Sequence, residues 1–78
     1  MMGKNNADIT VHIDESLDHS KLQDIADDVR EIDGIESVSF HDDKPHLMIV
    51  KYDPSQTDSS SIHQAVTAKG VHAELLGL

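Results

Sequence analysis

The chain passes twice through the same local pattern: a helical stretch, a glycine, then an alternating apolar strand. Ahead of the first pass, Ile9-Thr10-Val11-His12-Ile13 alternates apolar and polar, the period-two signature of a strand with one buried face. Ile9, Val11 and Ile13 share that face, with Thr10, His12 and Asp14 on the other. The period then changes. Leu22, Ile25, Ala26, Val29 and Ile32 recur at helical spacing, with Asp24, Asp27, Asp28 and Glu31 opposite them. Ser20 with Gln23 three residues later reads as a capping box. Gly34 stands where a helix ends and the backbone takes positive φ.

A second strand is predicted from Glu36 to His41, with Val38 and Phe40 inward. Asp42-Asp43-Lys44-Pro45 reads as a turn, in which Pro45 ends ladder pairing. His46 to Tyr52 is the third strand. Its run Leu47-Met48-Ile49-Val50 is apolar on both faces, as in a central strand. Ile62, Ala65 and Val66 mark a second helix, capped by Asp58 or a serine, with Lys69 in its last turn. Gly70 closes it, and Val71 to Leu76 is the fourth strand. The order β-α-β-β-α-β predicts an α+β fold, the ferredoxin-like sandwich. Its sheet is antiparallel, in spatial order 4-1-3-2, with both helices on one face.

Composition bounds the rest. Seventy-eight residues make one domain with a small core, expected over 8–78 behind a disordered tail of residues 1–7. With no cysteine, disulfides, thiolate metal sites and thiol catalysis are all excluded. No apolar run approaches the roughly 20 residues that span a bilayer, and the opening residues are no secretory signal. A cytoplasmic location is the expectation. The net charge of -9 disfavours nucleic acid and anionic membranes, and suits cations or a basic protein surface.

The residues also carry a resemblance. Val11 in the first strand and Gly34-Ile35-Glu36-Ser37-Val38-Ser39 after the first helix belong to it. So do Val50-Lys51-Tyr52-Asp53-Pro54, Ile62-His63-Gln64-Ala65-Val66 and Lys69-Gly70-Val71-His72-Ala73. Together these make the chain similar to the heavy-metal-associated domain of copper chaperones and metal-transporting ATPases, from Ile9 to Leu75. The resemblance implies the ferredoxin-like fold and a setting in metal transport. That family binds metal through Gly-Met-x-Cys-x-x-Cys. Counted back from Gly34, the two cysteines would fall near Asp18 and Lys21, and Ser16 would replace the methionine. Thiolates select soft ions such as Cu(I), and an aspartate and a lysine do not replace them.

Three connections are expected at one end of the sheet: Asp14 to Ser20, His41 to His46, and Lys69 to His72. They gather a candidate metal rim of Asp14, Asp18, His19, His41 and His46, with Glu15, Asp42, Asp43 and His72 nearby. Imidazole and carboxylate suit Zn or Ni at low affinity. His12 and His72, on adjacent strands, form a second candidate pair if they lie opposite one another. The open sheet face carries Leu47, Ile49 and Leu76, a candidate interface. Catalytic patterns are missing: there is no phosphate loop, and Ser59-Ser60-Ser61 fits helix capping better than nucleophilic attack. The acylphosphatases of this fold need an arginine in their phosphate loop, and the single arginine here, Arg30, falls inside a helix. The reading is a small non-enzymatic binding module, for protein interaction or regulation, acting through the open sheet face or the acidic helix. The alternative is weak divalent-metal binding or transport at the rim.

Overall fold

A computed structural model describes residues 6–41 and 43–76. Residues 1–5, most of the expected tail, and Asp42 of the rim lie outside the described residues. The elements are β1 (Ala7–Ile13), α1 (His19–Arg30), β2 (Ile35–His41), β3 (Lys44–Tyr52), α2 (Ser59–Thr67) and β4 (Ala73–Leu76). The sheet order is β2-β3-β1-β4, the expected 4-1-3-2 seen from the other edge, and every neighbouring pair is antiparallel.

Alternation in the strands decides which face is covered. Ile9 pairs with Val50 and Val11 with Met48, so four apolar side chains of the two central strands point to the same side. They are buried together with Ile13, Val38 and Tyr52 of the sheet. Leu22, Ile25, Ala26 and Val29 of α1, Ile62 and Val66 of α2, and Val71 close the same core. All eight residues expected to be buried (Val11, Leu22, Ile25, Val29, Val38, Val50, Ile62 and Val66) are in it.

Several boundaries differ from expectation, most of them for a local reason. Strand β4 begins at Ala73 rather than Val71, with the His72 N–H given to the Glu15 carboxylate instead of the ladder. Helix α1 is capped by Asp18, not Ser20: the Asp18 carboxylate accepts from the Lys21 N–H at 2.9 Å. Asp is as good a cap as Ser and adds a negative charge at the positive end of the helix dipole. Leu17 and Leu22 occupy the positions of a hydrophobic staple around this cap, and both pack in the core. At the other end α1 stops at Arg30. The Ile32 N–H bonds the Val29 carbonyl, a tightened turn that leaves Ile32 half-buried beyond the helix. The β2–β3 hairpin is shorter than predicted, because Lys44 pairs with His41. Pairing slips between Phe40 and His41, and Pro45, with no N–H to donate, lies in the irregular stretch. Lys69 follows α2 rather than ending it. Its ammonium lies 3.0 Å from Asp28 on α1, which raises its pKa and ties the two helices together.

Candidate functional site

Three connections meet at one end of the sheet, as the topology requires. Where β1 ends, the Asp14 N–H bonds the His72 carbonyl at 2.9 Å, so the β1–α1 loop runs beside the joint that follows α2. Glu15 holds His72 twice. One carboxylate oxygen accepts the His72 backbone N–H at 2.9 Å, and the other lies 2.7 Å from the ring Nδ1. This contact raises the His72 pKa and lowers that of Glu15, since the bond favours both charged forms. From β3, the His46 Nδ1 lies 2.7 Å from the Ile13 carbonyl. The His46 ring stacks on His12, with centroids 5.9 Å apart and planes 18° from parallel. Asp14 completes the group, its carboxylate 3.4 Å from the His12 Nδ1.

The five predicted rim residues therefore divide. Asp14 and His46 come to the same place, both beside His12. Asp18 and His19 start α1: Asp18 caps it, and the His19 ring tilts against Phe40 with centroids 5.5 Å apart. His41 is exposed at the hairpin, paired with Lys44. Among the described residues, no three His, Asp or Glu side chains converge as a ready metal-holding group. The second candidate pair, His12 with His72, is not formed as a cross-strand pair. Glu74 is the residue opposite His12, and His72 precedes β4 with its ring turned to Glu15. Sequence reading paired His12 with the wrong partner, because nothing local reports the register that brings β3 alongside.

The open face is ordered by the same register. Ile49 of β3 and Leu76 of β4 both lie opposite Thr10, so the three form a row across the sheet, with Ser39 beyond Ile49. Leu47, His12 and Glu74 form the next row. Ile49 is 40% exposed and Leu76 43%. On the helical side, Asp27 pairs with Arg30 at 2.9 Å and Asp28 with Lys69, so part of the acidic face of α1 is neutralised within the chain. Arg30 also donates to the Val38 carbonyl, which spends the single arginine on joining α1 to β2. No helix among the described residues is long and apolar enough to cross a membrane.

No protein-family model matches the chain, and no curated protein matches it. Solved structures do. The copper binding domain of HMA7, a P-type ATPase, superposes with a TM-score of 0.81 at 17% identity, covering 90% of this chain and 93% of that one. The N-terminal domain of a potential copper-translocating P-type ATPase from Bacillus subtilis, solved in its Cu(I)-loaded state, gives 0.82 at 17%, with 91% and 88% covered. Oxidized MerP from Ralstonia metallidurans gives 0.81 at 11%, with 91% and 97% covered. At such identities the likeness concerns the path of the backbone. The chain has the ferredoxin-like fold of heavy-metal-associated domains and, having no cysteine, lacks their Cys-x-x-Cys motif.

Proposed function

We propose that the chain is a small binding module without catalytic activity, and that it docks a basic protein surface through the open face of its sheet. The observation that carries this reading is the row Ile49-Thr10-Leu76. It puts two large aliphatic side chains in solvent on either side of Thr10, on the face opposite both helices. Apolar area of this kind gains free energy when covered. The net charge of -9 selects the occupant. A second copy would be repelled, whereas a surface rich in Lys and Arg would be attracted. No pocket opens among the described residues, which suits recognition by a flat face better than capture of a small substrate.

The test is affinity capture followed by titration of the purified partner. Wild type is expected to retain a basic protein that the double variant Ile49→Asn, Leu76→Asn releases. Amide shifts on binding should then map to β1, β3 and β4. Undiminished binding by the double variant, or shifts confined to α1, would sink the sheet-face reading.

The reading excludes the copper chemistry of the relatives. Asp18 is engaged as a helix cap and Lys21 supplies the N–H it accepts. Met48 is fully buried. None of these can act as an accessible soft ligand. In competition with a strong Cu(I) chelator, the protein is expected to retain no Cu(I); retention would reveal a soft site outside these residues. A second reading, weak binding of a divalent cation at the loop end, is favoured by the meeting of His12, His46 and Asp14.

A further inference from the structure

We propose that His12 and His46 together form a binding site for a borderline divalent cation, Zn or Ni, with the ion held by the two Nε2 atoms. This rests on the second reading above and assigns its ligands.

The argument begins with the other nitrogen of each ring. His46 Nδ1 is 2.7 Å from the Ile13 carbonyl, an acceptor only, so Nδ1 carries the proton and donates it. His12 Nδ1 faces the Asp14 carboxylate at 3.4 Å. In both rings the proton is drawn to Nδ1, which leaves the lone pair on Nε2. Metal-ligating histidines are oriented in this way, with the remote N–H given to a carbonyl or a carboxylate.

Register supplies the proximity. His12 pairs with Leu47, which places His46 one residue away on the neighbouring strand. The rings stand 5.9 Å apart and nearly parallel. Two Nε2 atoms each about 2.0–2.1 Å from one zinc must point at a common centre, so the nearly parallel rings tilt on binding. The His12 side chain is 38% exposed and has room to do so. Waters fill the remaining positions, and a site of two imidazoles that closes on its ion is weak. The surrounding charge helps. Asp14 lies beside His12, Glu74 lies opposite it on β4, and Glu15 follows in the loop. A cation entering here meets carboxylates on two sides.

His72 is excluded although it is close. Its ring is turned to Glu15, which grips both Nδ1 and the backbone N–H, while the ring stacked on His12 is that of His46. Imidazole nitrogen suits Zn, Ni and Cu(II), while the soft thiolate or thioether that Cu(I) requires is missing from this corner.

The test is a backbone NMR titration with zinc chloride, and with paramagnetic nickel, at neutral pH. Shifts and broadening are expected to centre on residues 12–14 and 46–47. His12→Gln, at an exposed site, and His46→Gln should each weaken binding about tenfold or more. His72→Gln should leave it unchanged. Acidification should abolish binding, because protons compete for the same lone pairs. An amide spectrum of native dispersion checks that each variant is folded, and His12→Gln alone suffices if His46→Gln is not. Shifts centred on Asp18, His19 and His41 would overturn the His12–His46 assignment and leave a rim site in its place. Shifts that survive in both His12→Gln and His46→Gln would also overturn it. No shifts at millimolar metal would overturn this assignment and the second reading together, and would leave the docking face untouched.

Discussion

Replacing Ile25 by alanine is expected to cost about 2–5 kcal/mol of folding stability, the range for removing a large aliphatic side chain from a closed core. Ile25 has no exposed surface. It lies midway along the buried stripe of α1, between Leu22 and Val29, and faces the strands whose Val11, Met48 and Val50 are equally enclosed. The loss is large against the whole. A domain of this length has about 4–12 kcal/mol of stability at roughly 0.05–0.15 kcal/mol per residue. Urea or guanidinium unfolding should show a much lower midpoint with an unchanged slope. Ile32→Ala, half-buried beyond the end of the helix, should cost clearly less. Equal costs at the two positions would mean that α1 does not pack on the sheet as described.

The sequence announced the path of the chain more clearly than the site. Period-two runs at Ile9–Ile13 and Val38–Phe40, helical spacing from Leu22 to Val29, and a glycine after each helix are local signals. Taken with the handedness and adjacency rules of connections, they leave few topologies. The misplaced cap at Ser20 shows where local signals end. Asp18 and Ser20 are equally good cap residues, and the choice turned on how Leu17 and Leu22 pack, a pattern that was present and could have been weighed. The corner of His12 and His46 was illegible for a deeper reason. Leu47-Met48-Ile49-Val50 is apolar on both faces, so β3 gives no parity signal, and the slip between Phe40 and His41 shifts any register counted from the turn. The Glu15–His72 contact joins residues 57 apart in the chain, and only the fold brings them together.

Gly34 and Gly70 close the two halves of the duplicated pattern, and substituting alanine should separate them sharply. Both have positive φ, +99° and +87°, a conformation costly for any side chain. Each alanine therefore carries a backbone penalty of about 1–2 kcal/mol. At Gly70 that is the whole cost, because a Cβ there meets nothing within 4 Å. At Gly34 the added Cβ would lie 2.7 Å from Gln56 Cβ and 3.2 Å from Thr57 Cγ2. Gln56 Cβ cannot move alone, since it is fixed to a backbone held by the Gln56 N–H on the Asp53 carbonyl. Asp53 is itself anchored, donating its N–H to the Gly34 carbonyl at 2.8 Å. Relief of the contact must push the β3–α2 connection off the α1–β2 turn, at an overpacking cost of about 1–3 kcal/mol. Gly34→Ala is thus expected to lose about 2–5 kcal/mol, the sum of the two penalties. Chemical unfolding of the two variants side by side tests the difference. Amide exchange at Asp53 should also quicken in Gly34→Ala and stay unchanged in Gly70→Ala. If the two glycines prove equally tolerant, the close approach of the two connections is wrong, and with it the alignment of β2 against the end of β3.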